Sequence, residues 1–199
     1  MSAPAAGELA IFPLNAVLFP GGLLPLRVFE QRYMEMAKGC LKDDEPFGVC
    51  LIRSGTEVGA PATPEPIGCT ARIFEWDMQQ LGVLSIKTRG EQRFRIKSSI
   101  VTDMGLTKAH VEMLPAEEDA VLPAEFEACA ALLRAVLEQH GPGIVATPAR
   151  YESASWVSSR LTEILPVPLA AKQKLLELAD PLQRAEILNK FLQQHRLAG

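Results

Sequence analysis

The sequence lacks the spacing of cysteine and histidine that a protein metal site requires. Four cysteines are present, and they form no Cys-x-x-Cys pair and have no histidine at ligand spacing. They are Cys40, Cys50, Cys69 and Cys129. We therefore expect no bound metal, no cofactor and four reduced thiols, as is usual inside cells.

Catalytic motifs are absent as well. No Gly-x-Ser-x-Gly turn presents a serine nucleophile, and no His-Glu-x-x-His pattern indicates a metalloprotease. His110, His140 and His195 fall on a predicted strand, a helix end and the last helix, so they belong to no common motif. We therefore predict no catalytic residue and no enzymatic activity.

The chain also lacks a strong charge bias and a long apolar run. Its 20 Lys and Arg residues against 24 Asp and Glu residues give a net charge of −4, which provides no general attraction for nucleic acid or anionic membrane. No window reaches the ~18 uninterrupted apolar residues of a membrane span. Residues 1–10 contain no Lys or Arg, unlike a secretory signal. We expect a cytoplasmic protein without membrane attachment.

The most informative feature that the sequence does contain is an apolar segment at residues 11–33, IFPLNAVLFPGGLLPLRVFEQRY. Two strand-like runs are joined there by a Phe-Pro-Gly-Gly corner, and Pro25 confines the second run to a sheet edge or a bulge. A helix over residues 30–41 follows, and a loop rich in proline and glycine occupies residues 54–68. The predicted strands cover residues 8–14, 23–29, 47–52, 68–78, 82–88, 92–101 and 105–114.

The strands at residues 82–88 and 92–101 are predicted to form a hairpin with Gly90 in its tip, because glycine suits a positive φ. In that register like charges face each other. The opposed pairs are Lys87 with Arg95 and Arg89 with Arg93. Such pairs are unfavourable by ~0.2–1 kcal/mol, so they need solvent, an anionic partner or internal counter-charges. The acidic candidates are Glu75, Asp77, Glu91 and Glu112.

From residue 115 onward the apolar pattern has a helical period. Helices are predicted at residues 122–139, 155–165, 170–178 and from residue 180 onward. Residues 140–143, His-Gly-Pro-Gly, are expected to end the first of them. The last helix has the clearest start, because Asp180 is a good N-cap, Pro181 suits the first helical position and Gln183 occupies the capping-box position.

Strands with one helix followed by several helices predict an α+β fold. We expect a small closed or nearly closed β-barrel over residues 1–117 and a C-terminal α-helical bundle over residues 118–199.

Three passages together resemble the N-terminal substrate-recognition domain of the Lon protease family. The first is the segment at residues 11–33. The second consists of two stretches, IGCTARI and LSIKTRGEQRFRIKS. The third is ILPVPLAAKQKLLELADPLQRAEILNKFL. They run in order from about Leu9 to about Leu192. The resemblance implies a PUA-like barrel (pseudouridine synthase and archaeosine transglycosylase). No GxxxxGK[ST] phosphate loop is present, so we expect a free-standing Lon-like domain without ATPase or protease modules.

The resemblance implies that the chain recognises unfolded or extended polypeptide, alone or as an adaptor for a protease or chaperone. An apolar patch and the basic face of the predicted hairpin are the candidate binding surfaces. The candidate residues are Leu23, Trp76, Met78, Lys87, Arg89, Arg93 and Arg95. The apolar members, with Phe19 and Leu24, also suit a core. RNA binding by the basic face and a small-molecule pocket between the two subdomains are the alternatives. The net negative charge argues against RNA.

Overall fold

The computed structural model describes residues 6–141, Val145 and 148–195. The chain divides into two units, Met1–Pro115 and Ala116–Gly199. In the described part of the first unit the elements are β1 (Ala6–Leu14), β2 (Leu23–Val28), α1 (Gln31–Asp43), β3 (Phe47–Ser54), β4 (Thr63–Pro64), β5 (Ile67–Gln80), β6 (Val83–Val101) and β7 (Thr107–Met113).

The strands form one sheet in which β1, β7, β6, β5 and β3 pair in that order. β3 also pairs with β1, in parallel, whereas the other described pairings are antiparallel. Two strands stand outside this ring. Within the described ranges, β2 pairs with β6 alone and β4 with β3 alone. We expected a closed or nearly closed barrel. The sheet is not a closed one, because β2 and β4 each have an edge without a strand partner among the described residues.

The predicted hairpin at Gly90 is wrong, because β6 is one continuous strand of 19 residues. The hairpin is formed instead by β5 and β6, and its turn is Leu81-Gly82, where Gly82 has a φ of +82°. The four basic residues therefore do not oppose one another in pairs. Their partners on β5 are Glu75 for Lys87, Arg72 for Arg89, Cys69 for Arg93 and Ile67 for Arg95.

Gly90 is required for a close approach and not for a turn. Its N–H donates to the Gly22 carbonyl at 2.9 Å, and its carbonyl accepts from the Gly21 N–H at 2.7 Å. A Cβ at Gly90 would lie 2.2 Å from the Phe19 carbonyl oxygen. The Phe-Pro-Gly-Gly corner is thus fastened to the middle of β6, and glycine is the residue that leaves room for it.

The core of the first unit lies between the sheet and α1. Phe12 of β1 stacks on Tyr33 of α1 with ring centroids 3.9 Å apart, and Phe47 lies beside them. Phe19 is fully buried. Leu23 and Leu24 are half-buried.

The second unit is helical in its described part. A short 3₁₀ helix (Ala124–Phe126) precedes α2 (Glu127–His140), α3 (Ala154–Ile164), α4 (Leu169–Glu177) and α5 (Pro181–Gln194). The Asp180 side chain accepts a hydrogen bond from the Leu182 N–H at 2.8 Å, which confirms the predicted cap. Gly141 follows the end of α2 with a φ of +81°. Pro142 and Gly143 of the predicted stop lie outside the described residues.

A buried ion pair connects the helices of this unit. Arg184 of α5 donates to both carboxylate oxygens of Glu117, at 2.9 and 2.6 Å. It also donates to the Ser158 hydroxyl of α3 at 3.0 Å and to the Leu175 carbonyl of α4 at 3.3 Å. One side chain therefore holds three helices and the segment that precedes them.

Candidate functional site

Histidines and cysteines form no metal-binding arrangement in the described part of the chain. No group of three or more His, Cys, Asp or Glu side chains is placed to hold a metal ion there. His140 and His195 each contact a carbonyl one turn earlier in their own helices, those of Val136 and Phe191. Both side chains therefore provide hydrogen-bond partners for carbonyl groups in the last turns of their helices. No described helix is long and apolar enough to span a membrane.

The four cysteines are free thiols, and burial raises the pKa of Cys40 and, to about 11, that of Cys129. Cys40 is half-buried while the others are buried. We expect iodoacetamide at mildly alkaline pH to modify Cys40 first, at a rate that grows with pH because little thiolate is present. Mass spectrometry of tryptic peptides would measure this. All four should react after unfolding in urea, and early modification of Cys129 in the folded chain would contradict the expected order.

Four large apolar side chains are exposed along the hairpin that β5 and β6 form. They are Phe74, Trp76, Met78 and Leu81. Trp76 and Met78, which are candidate residues from the sequence, are 58% and 41% exposed. Phe74 was missed because it is the extra residue of a bulge between Ile73 and Glu75, a feature that an alternating pattern does not reveal. We call these four residues the hairpin surface.

The strand register divides this region into an apolar face and a charged face. Trp76 lies opposite Ile86, and Ile86 lies opposite Leu26 of β2. Directly opposed residues point to the same face of a sheet, so these three share one face. Glu75 and Lys87 form a pair on the other face and make an ion pair of 2.8 Å.

A cavity of about 370 Å³ adjoins the hairpin surface. The residues that line it come from three adjacent strands: Pro25, Leu26, Arg27, Glu75, Trp76, Asp77, Ser85, Ile86 and Lys87. Trp76 thus belongs both to the exposed apolar residues and to the lining of a concave site, and concave sites are where ligands usually bind.

The basic candidates do not form one exposed basic face. Arg93 is only 4% exposed, and the Arg89 guanidinium lies 5.7 Å from the centre of the Phe74 ring, within cation–π range. Arg95 lies opposite Glu112 of β7. A hydrogen bond from Lys97, together with the charges of Lys97 and Arg95, lowers the pKa of Glu112. Acidic side chains of the same chain therefore offset part of the positive charge of these basic residues.

A second cavity in the first unit, of about 210 Å³, lies along β2 and was missed by the sequence interpretation. The residues that line it are Phe12, Leu14, Ala16, Pro25, Leu26, Arg27, Val28, Phe29, Glu30, Tyr33, Glu57 and Val58. Phe29 and Val58 are more than half exposed. The one sequence signal for this site is Pro25, which already indicated an edge strand.

The second unit contains a third cavity, between α4 and α5, of about 540 Å³. Its lining is mostly apolar and includes Leu175, Leu178, Ile187 and Phe191.

Comparison with known proteins gives a family for this fold. The model of the family described as the ATP-dependent protease La (LON) substrate-binding domain matches residues 8–194. The Lon protease of Anaeromyxobacter dehalogenans is 27% identical over 198 residues, covering 94% of this chain and 23% of that protease. Protein cereblon of Danio rerio is 30% identical over 142 residues, covering 68% of this chain and 31% of cereblon. The chain thus spans less than a third of the length of these curated relatives.

A solved structure extends the likeness to three dimensions. The crystal structure of a Lon N-terminal domain protein from Xanthomonas campestris is 35% identical to this chain, with a TM-score of 0.76. The match covers 92% of this chain and 96% of that one. The chain has the mixed α/β fold of a Lon N-terminal domain, and it belongs to the family of LON substrate-binding domains.

Proposed function

We propose that this chain is a non-enzymatic module that binds unfolded or extended polypeptide through the hairpin surface. The observation that carries the proposal is the exposure of Phe74, Trp76, Met78 and Leu81 along one hairpin in a member of a substrate-binding family. An apolar surface with a neighbouring groove is the feature that a polypeptide with no fixed shape can use.

Trp76 is the residue from which we expect most of the binding energy. It is more than half exposed in the free chain, and full burial of a large apolar side chain stabilises by about 1.5–3 kcal/mol. Tryptophan is also enriched among residues that dominate binding interfaces. Met78 adapts its shape to different partners because its side chain is flexible. Leu23, which is half-buried on β2, supplies a smaller contact.

In this proposal the basic candidates have supporting roles. Lys87, Arg89 and Arg95 are exposed and would contact acidic residues of a client, while the buried Arg93 supports the sheet. The RNA alternative is less favoured by the same residues, because Lys87 is paired with Glu75 and Arg93 is buried. RNA recognition usually needs an uninterrupted basic surface with exposed aromatic rings among the charges.

The partner that receives the bound polypeptide is proposed to be a protease or a chaperone, with this chain as adaptor. The support is that the same family domain makes up part of Lon protease and aligns with part of cereblon. We infer that residues 1–117 form a strand-rich, PUA-like subdomain and that residues 118–199 form a helical-bundle subdomain. Four free thiols favour a reducing compartment such as the cytoplasm.

The test measures binding of fluorescein-labelled, reduced and carboxymethylated lactalbumin, which has no stable fold, by fluorescence anisotropy. The wild-type chain should bind it and not the native, disulfide-bonded protein. Trp76→Ser should weaken binding at least tenfold, which corresponds to about 1.4 kcal/mol. Val101→Ser is the matched control, since Val101 of β6 is exposed to a similar extent, 57%, and is not among the residues that line the three cavities described above.

Two results would overturn the proposal. One is wild-type affinity for the unfolded protein that is no greater than for native lactalbumin. The other is an equal effect of Trp76→Ser and Val101→Ser. A homopolymeric RNA probe distinguishes the alternative, because RNA binding would weaken steeply with added salt and with Lys87→Ala.

A further inference from the structure

The outer edge of β2 presents backbone groups that β6 does not use. Gly90 of β6 directs both its N–H and its carbonyl to the Phe-Pro-Gly-Gly corner, at Gly22 and Gly21. Along a strand the backbone groups of every second residue point to the same neighbour. Thr88 therefore also directs its groups to β2, where it lies opposite Leu24. The Thr88 hydroxyl donates to the Leu24 carbonyl at 2.9 Å, which agrees with a Leu24 carbonyl that points towards β6.

This alternation determines which residues of β2 point their backbone groups away from β6. Leu24 and Leu26 point their N–H and carbonyl groups to β6, so the groups of Leu23, Pro25 and Arg27 point away from it. In the described residues, β2 has no other strand partner. Pro25 has no N–H and offers only a carbonyl. The outer edge thus provides acceptors at all three residues and donors at Leu23 and Arg27.

The cavity of about 210 Å³ lies beside this edge. Residues 25–30 line it together with Phe12 and Leu14 of β1, Tyr33 of α1, and Ala16, Glu57 and Val58. β1 pairs with β7 only as far as Ile11, so the end of β1 that borders the cavity has no β7 partner. The volume exceeds the ~150 Å³ that encloses a benzene molecule. It therefore has room for one large apolar side chain.

We propose that an extended segment of client polypeptide pairs with the outer edge of β2 as an added strand and places one apolar side chain in this cavity. The inference rests on the proposed polypeptide-binding function and specifies how the backbone is recognised. Backbone pairing is independent of the client's sequence, whereas the cavity selects a large apolar residue. This combination suits a module that must bind many unfolded chains.

A second copy of this chain fits the edge less well than a client does. Symmetric pairing of two β2 strands centred on Pro25 would place two proline rings opposite each other, and neither provides an N–H. A client residue opposite Pro25 can donate its own N–H to the proline carbonyl. Proline in an edge strand is also a known obstacle to self-association.

The first experiment compares Arg27→Pro with Arg27→Ala, using a synthetic peptide of alternating valine and threonine with one central phenylalanine. Both variants remove the same exposed side chain, but only Arg27→Pro removes the outward N–H. Pro25 shows that a proline ring is accepted in this strand at the same phase. We expect Arg27→Pro to bind the peptide at least tenfold more weakly than Arg27→Ala, with circular dichroism spectra and melting temperatures alike.

The second experiment uses the wild-type chain and peptides methylated on single backbone nitrogens, so it remains valid if Arg27→Pro does not fold. Methylation at every second position should abolish binding, and methylation at the positions between should have little effect. An effect that is equal at all positions, or absent at all of them, would overturn the inference. So would a concentration-dependent dimer in sedimentation that Arg27→Pro removes, because the edge would then bind a second copy.

These outcomes separate this inference from the proposed function. If carboxymethylated lactalbumin binds and Trp76→Ser weakens it, while backbone methylation has no effect on the peptide, the polypeptide-binding function stands and the edge inference fails. If neither lactalbumin nor the peptide binds the wild-type chain, the proposed function itself fails.

Discussion

Replacing Arg184 by alanine is expected to destabilise the helical unit by about 3–5 kcal/mol. The guanidinium is completely buried and pairs with Glu117, whose side chain is 6% exposed. Removal of Arg184 leaves that carboxylate buried without its main counter-charge, and it also removes the bonds to Ser158 and Leu175. The free energy of unfolding of natural domains is about 5–15 kcal/mol, so this one substitution removes a large fraction of it.

Urea denaturation followed by tryptophan fluorescence would measure this loss. The chain has two tryptophans, and in a Trp76→Phe background the signal comes from Trp156, which packs edge-on against Tyr151 at 5.4 Å. Lys190→Ala is the matched control in the same helix, because its pair with Glu186 is exposed. An exposed pair of that spacing contributes only about 0.3–0.5 kcal/mol.

A double substitution separates the ion pair from its desolvation cost. Arg184→Met with Glu117→Leu removes both charges, and apolar replacement of a whole buried pair is often nearly neutral. We expect the double variant to be more stable than Arg184→Ala alone. A loss below about 1 kcal/mol for Arg184→Ala, or a double variant that is less stable than the single one, would contradict the assigned role of the pair.

The helices of the second unit were predictable because their signals are local. The cap at Asp180 depends on the next few residues only, and its side chain accepts a hydrogen bond from the Leu182 N–H. The hairpin at Gly90 was not predictable for the opposite reason. Glycine serves turns and close approaches equally well. The group that requires it here, the Phe19 carbonyl, is remote in sequence, so no local pattern distinguishes the two uses.

The candidate site shows the same division. The sequence left Trp76 and Met78 as either core or surface residues, and the structure exposes both. The bulge at Phe74 shifts the phase of β5, and side-chain exposure beyond a bulge does not follow from alternation. The edge position of β2 was indicated by Pro25 itself. The cavity beside that edge was not, since β1, β2, α1 and a loop build it together.

Replacing Gly90 by alanine is expected to destabilise the first unit by about 3 kcal/mol, the upper part of the usual range for overpacking. The added Cβ would lie 2.2 Å from the Phe19 carbonyl oxygen and 3.1 Å from Leu18 Cγ. The backbone at Gly90 or at Phe19 must therefore move. That movement strains the two hydrogen bonds between Gly90 and the corner, each of which contributes about 0.5–1.5 kcal/mol.

Gly82→Ala is the control that distinguishes the observed hairpin from the one expected at Gly90. Gly82 has a φ of +82°, and nothing lies within 4 Å of the position its Cβ would take. An L-residue pays about 1–2 kcal/mol for a left-handed conformation, so Gly82→Ala should cost less than Gly90→Ala. Gly82→Asn should cost less still, because asparagine tolerates that conformation.

Both glycine variants can be compared by urea denaturation in a Trp156→Phe background, where Trp76 reports on the first unit. Hydrogen–deuterium exchange adds a local readout, since Gly90→Ala should weaken protection at the Gly21 N–H, whose partner is the Gly90 carbonyl. A tip at Gly90 would give a different pattern: Gly90→Asn would then be tolerated better than Gly90→Ala, and Gly82→Ala would cost little because Gly82 would lie within a strand. That pattern would disprove the attachment of the Phe-Pro-Gly-Gly corner to β6, from which the orientation of the β2 backbone groups follows.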